Sequence, residues 1–113
     1  MKNDTKMLLE QYCTFAEGTS LHLTPKVANR NGDKLHSTFK ILSLTEEGRN
    51  GICELMNQES PYVRLWAASH SLLWFPDNAK KVLQKMVDDD GPSGFLAEMT
   101  LEEYAKGTLS FEH

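Results

Sequence analysis

Trp66, His70 and Trp74 stand four residues apart, a spacing that stacks side chains along one face of a helix and sets an imidazole between two indoles. Such a ridge has two uses. Tryptophan is concentrated at binding hot spots, so the ridge can anchor a partner. Alternatively it packs against a neighbouring helix with His70 hydrogen-bonded, the commoner fate of buried aromatics. Ser69 and Ser71 flank His70, but adjacent residues on a helix point about 100° apart and cannot form a nucleophile and base pair. His36 falls seven residues after Asn29, two turns on along the same face, with Arg30 beside it. If alternate helices line a concave surface, Asn29, Arg30, His36 and His70 meet there as a polar pocket.

Metal and enzyme chemistry find little support. No two histidines share an i, i+4 or HExxH arrangement, and His22 and His113 fall in a loop and in the tail, so neither a metal nor a cofactor is expected. Neither a GxSxG elbow, a Walker loop nor a glycine-rich turn after a strand is present. The 16 acidic residues leave a two-carboxylate hydrolase formally open, yet nothing pairs two of them across a cleft. Cys13 and Cys53 lie within predicted helices without CxxC spacing, which points to free thiols. The chain is expected not to be an enzyme.

Acidic residues do cluster. Asp88, Asp89, Asp90, Glu98, Glu102 and Glu103 surround the last predicted hairpin, and Glu46 and Glu47 flank the third helix. Any solvated surface carries such charges; the alternative is an acidic patch that docks on a basic partner. A net charge of -4 favours a basic partner over an anionic one, and the clustered Lys and Arg of a nucleic-acid binder are absent. The 113 residues, 40% hydrophobic and 25% charged, make one soluble domain of ordinary composition. No apolar run approaches the roughly 20 residues of a membrane span. The opening "MKNDTKMLLEQYCTF" is interrupted by Asp4, Lys6, Glu10 and Gln11, unlike a secretory signal, so a cytosolic, monomeric chain is expected.

Apolar residues recur at intervals of three and four nearly throughout, which predicts six helices and no strand. The first runs from about Thr5 to Glu17, capped by Asp4 and stopped by Gly18. The second begins at Thr24-Pro25, a cap followed by a proline where its missing N–H costs nothing. Its inward stripe is Ala28, Leu35, Phe39 and Leu42, and it is kept continuous through the turn-like pair Asn31-Gly32. The third spans about Glu46 to Asn57 with Ile52, Leu55 and Met56 inward. Ser60 and Pro61 open the fourth, which Pro76 closes, and Asp77 or Asn78 caps the fifth. Ala79, Val82, Leu83, Met86 and Val87 give that fifth helix the clearest amphipathic pattern. After the turn "DDDGPSG" the sixth runs from about Ser93 to Lys106, with Ala97, Leu101, Tyr104 and Ala105 inward and Gly107 just past its end. Residues 1–107 form the domain and 108–113 a tail.

A shift of about 30 residues overlays the last two hairpins, with Pro61 near Pro92, Ala68 on Ala97, Leu72 on Leu101 and Phe75 on Tyr104, as stacked helical units would give. The stretch "SPYVRLWAASHSLLWF" is apolar around most of its circumference, as befits the middle layer of such a stack. Arg64 lies in its first turn, where the helix dipole favours anions. It therefore needs an acidic partner: Glu59, or the cluster Asp88 to Asp90 in the next hairpin, in a clasp between layers.

The segment "NQESPYVRLWAASHSLL" resembles the second half of a HEAT repeat. Together "ANRNGDKLHSTFKIL", "VRLWAASHSLLWFPDNAKKVL" and "GPSGFLAEMTLEEYAKG" are similar, in order and spacing, to a family of short bacterial HEAT-like proteins, over about Lys26 to Gly107. The departure is Asn31-Gly32, where a bulkier pair suits a helix better. The resemblance implies an all-α, HEAT-like α-solenoid of about three antiparallel helical hairpins. It also implies an association with polymorphic toxins and contact-dependent growth inhibition, in which a small cytosolic immunity protein neutralises a toxin domain. On that expectation the partner is a cognate protein toxin, a basic nuclease domain, with no direct contact to nucleic acid or membrane. Asp88, Asp89, Asp90, Glu98 and Glu102 would steer it and the exposed parts of Trp66, His70 and Trp74 would anchor it. A general HEAT-like adaptor and a HEAT-like DNA-repair protein are the rivals; the latter calls for a basic stripe, of which Arg30, Lys34 and Lys40 supply a fragment.

Overall fold

Prolines open four of the helices, because a ring that fixes φ and lacks an N–H fits only the first turn. The computed structural model describes residues 2–20, 24–89 and 91–109. Its elements are α1 (Lys2–Glu17), α2 (Pro25–Leu42), α3 (Glu46–Glu54) continuing into a 3-10 turn (Leu55–Asn57), α4 (Pro61–Ser71), α5 (Pro76–Asp88) and α6 (Pro92–Lys106). Every described element is helical. The fold is all-α, six helices arranged as successive hairpins: α1 packs on α2, α3 on α4 and α5 on α6. With extents of 38 × 33 × 28 Å, the stack is nearly as wide as it is long.

The middle position falls to α4, which packs against α1, α3, α5 and α6. Val63, Leu65, Ala67, Ala68, Ser69, His70 and Ser71 are all buried, so its apolar circumference is answered by neighbours before and after it. Tyr12, Leu35, Leu42, Ile52, Leu83 and Ala97 complete one continuous core. At about 25 cal/mol per Å² of apolar surface, burying side chains of this size contributes about 1.5–3 kcal/mol each.

Local chemistry decides most boundaries. Thr24 accepts a hydrogen bond from the Val27 N–H and caps α2, which runs unbroken through Asn31-Gly32. Thr45 caps α3 by accepting from the Gly48 N–H. Gly107, at φ 75°, ends α6 in the left-handed conformation that favours glycine, and the Thr108 N–H returns to the Glu103 carbonyl. Gly48 is required by a close approach instead: a Cβ there would collide with the Leu42 carbonyl oxygen.

Several boundaries differ from expectation. Asp4 lies inside the first turn of α1, complementing the dipole, because the helix begins at Lys2. The fourth helix ends at Ser71 and the chain turns through Leu72 to Trp74, with the Phe75 N–H reaching back to the Ser71 carbonyl. Pro76 thus opens α5 instead of closing α4, Phe75 takes the cap position and Asp77 falls in the first turn. Ser60 holds the cap position of α4 without a side-chain hydrogen bond. Ala105 is exposed: eight residues from buried Ala97, it lies about 80° around the helix. Leu109 packs against the core, which extends the packed domain past Gly107; residues 110–113 lie outside the described residues, as does the whole of Asp90.

Candidate functional site

The ridge on α4 faces inward at its centre. His70 is 1% exposed, and its ring is hemmed in by side chains from two other helices. Tyr12 of α1 is hydrogen-bonded through its hydroxyl to Nδ1 at 2.6 Å, and Phe39 of α2 stacks on the imidazole at 3.9 Å between centroids and 11° between planes. Trp66 lies 5.6 Å from His70 and Trp74 5.8 Å from Phe39, both tilted. The Trp66 indole N–H donates to the Thr19 hydroxyl at 2.9 Å. This is the packing alternative: the ridge locks α4 to α1, α2 and the turn after α1. His70 cannot serve as a partner's anchor, since a partner would have to unpack Tyr12 and Phe39 to touch it. Trp66 and Trp74 are half-buried and packed against the core.

Electrostatics agree with that role. Burial, reinforced by nearby His36, pushes the His70 imidazole down from an ordinary 6.5 to about 3, and burial pushes the Tyr12 phenol well above its ordinary value. Both groups are neutral at pH 7, and a neutral hydroxyl and imidazole share a hydrogen bond in either tautomer. Burial likewise raises the Cys13 and Cys53 thiols, with Glu17 and Glu10 adding to the first and Glu54 to the second. The thiolate is the nucleophile, so both cysteines are poor ones; both are free and half-buried.

The polar pocket expected around Asn29 does not close. Asn29 and Arg30 are exposed on the first turns of α2, whereas His36 is half-buried and tilted against Phe39 at 6.0 Å. His36 and His70 thus approach one another, but through the aromatic layer and not across an open surface. The other polar residue of that region, Asn31, donates to the Gly18 carbonyl at 3.2 Å and holds α2 to the end of α1.

Among the described residues the interlayer clasp is not formed, and Asp90, one of its expected partners, lies outside them. Arg64 is half-buried, its Nε is buried without a hydrogen-bond partner, and among the described residues no salt bridge joins it to Glu59, Asp88 or Asp89. Glu59 is exposed in the turn before α4.

The carboxylates of the last hairpin do reach solvent. Asp88, Asp89, Glu98, Glu102 and Glu103 are all exposed. A further acidic feature joins helices distant in sequence: an open cleft of about 540 Å³ between α1 and α3, lined among others by Lys6, Leu9, Glu46, Glu47, Asn50 and Glu54. Its only sequence signal is the four-residue spacing of Glu46, Asn50 and Glu54; the α1 wall depends on tertiary packing. Among the described residues no group of three or more His, Cys, Asp or Glu could hold a metal ion, and no helix is long and apolar enough to cross a membrane.

Compared with protein-family models, curated proteins and solved structures, the chain matches none. The class its fold defines is an all-α stack of helical hairpins in which Tyr12, Phe39 and His70 are packed in the core and the described carboxylates of the last hairpin are on the surface.

Proposed function

We propose that the chain is a non-catalytic, cytosolic protein-binding module whose task is immunity: it captures a cognate toxin domain, a basic nuclease, and covers its active site. One observation carries this reading. The side chains best fitted to chemistry, His70 and Tyr12, are sealed in the core as a neutral pair, whereas five carboxylates of the last hairpin are exposed. Catalytic groups with shifted pKa values ordinarily line a cleft open to substrate; these serve packing. Exposed acids of one sign instead speed the capture of a basic protein and disfavour nucleic acid.

The test is co-expression with the toxin domain encoded beside this chain's gene. Restored growth and a purified one-to-one complex are the expected results. Arrest that persists while the chain is soluble and folded removes the immunity reading, and a neighbouring gene that encodes no toxin moves the general adaptor ahead of it.

A further inference from the structure

Helix α6 is apolar on two faces. Gly94 and Ala97 are buried, and half-buried Leu101 and Tyr104 pack with them against the core. On the opposite face Phe95 is 62% exposed and Met99 42%, one helical turn apart, so that they form a single ridge. Glu98 and Glu102 border it on one side and Glu103 on the other, all exposed, with Lys106 at the C-terminal end. Among the described residues nothing covers this face, and a polar surface normally keeps such an uncovered side of a helical stack in solution. This one carries an aromatic ring and a thioether where that rule asks for charge.

We propose that the outer face of α6 is the docking surface of this protein, and that its occupant is a basic amphipathic helix of a partner. The partner's apolar ridge covers Phe95 and Met99, and its lysines or arginines meet Glu98, Glu102 and Glu103. The proposal rests on the protein-binding reading above and moves the anchors from the α4 ridge to α6. Charge selects the occupant. A second copy placed face to face would set the same glutamates against one another, an anionic membrane would be repelled, and the chain's own last residues, 110–113, bring Glu112 along with Phe111. Methionine also suits the task, since its flexible thioether fits irregular apolar surfaces. Another exposed apolar pair, Ile41 and Leu44, lies at the end of α2 among charges of both signs, Lys40, Glu46 and Glu47, and selects no partner.

The experiment titrates the full chain against two fluorescent helical peptides with the same leucine ridge, bordered in one by arginines and in the other by glutamates. The basic peptide is expected to bind at least about 10-fold more tightly, with affinity falling as salt rises. Phe95→Ser combined with Met99→Ser is expected to weaken it at least about 10-fold, and Glu98→Gln with Glu102→Gln to flatten the salt dependence. Both pairs lie in solvent, so an unchanged circular dichroism spectrum checks that the fold is kept. Equal binding of the two peptides, no binding of either, or undiminished binding by the Phe95→Ser, Met99→Ser variant overturns the proposal. So does a dimer seen by sedimentation that this variant abolishes, which assigns the face to a second copy. A roughly 10-fold gain in binding on deleting residues 110–113 assigns it to the chain's own tail. The two readings fail separately: growth rescue by the double-serine variant removes the surface and keeps immunity, whereas peptide binding without rescue removes the toxin and keeps the surface.

Discussion

Helices α4 and α6 begin alike and end in different environments. Each opens on a proline, Pro61 or Pro92, and each is apolar on more than one face. Helix α4 packs on α1, α3, α5 and α6 and takes Phe39 of α2 on its imidazole, and it buries seven residues in a row of nine. Among the described elements α5 and α4 pack most closely on α6, and it leaves Phe95 and Met99 in solvent. Composition is therefore a poor guide to which apolar face is core. The number of described helices packed on either side decides it.

The sharpest way to break this contrast is through pH. His70 is neutral in the fold at about 3 and above, whereas in the unfolded chain it takes up a proton below its ordinary 6.5. Its burial is fully tolerated above pH 6.5 and opposes folding as pH falls towards 3, a loss on the order of 5 kcal/mol across that window. Urea midpoints at pH 7 and pH 4 capture the larger part of it, about 3 kcal/mol, and His70→Asn, which cannot titrate, is expected to flatten the slope. An NMR titration placing His70 near 6.5 would mean that α4 is not sealed. Next in size, Ala67→Leu adds bulk at a fully buried site on α4 and is expected to cost about 1–3 kcal/mol. Ala105→Leu on exposed α6 should stay within about 0.5 kcal/mol; similar shifts in melting temperature for the two would erase the distinction. Tyr12→Phe leaves Nδ1 of His70 without its Tyr12 partner and should cost about 1–3 kcal/mol by chemical denaturation. The smallest effect belongs to Phe95→Ala, expected to change stability by less than about 0.5 kcal/mol, because its ring contributes to a surface and not to the core.

Much of the architecture was legible in the residues because local rules act through one or two atoms. Thr24 before Pro25, the inward stripe of α5 and Gly107 after Lys106 each follow from a hydroxyl, a periodicity or a missing Cβ. The burial of α4 was legible too, since no single-sided helix has that composition. What failed depended on which way a side chain turns in space. A four-residue spacing put Trp66, His70 and Trp74 on one face, but only the positions of Tyr12 and Phe39 show that this face looks inward. Arg64 needed a partner by dipole reasoning, and the layers do not bring Glu59 or Asp88 to it. Pro76 reads equally as the end of one helix or the start of the next; the turn through Leu72 to Trp74 chose the second. Of the surface proposed on α6, Glu98 and Glu102 were legible as acids, whereas the exposure of Phe95 and Met99 depends on tertiary packing that no local rule supplies.

The corner between α2 and α3 has a consequence for ancestry. Because the Leu42 carbonyl occupies the space a side chain at position 48 would need, whatever else mutation exchanges around that bend, it must keep a lone hydrogen there. Distant cousins of this chain, whatever else they have exchanged, should betray themselves by a glycine three places after the threonine that starts the third helix.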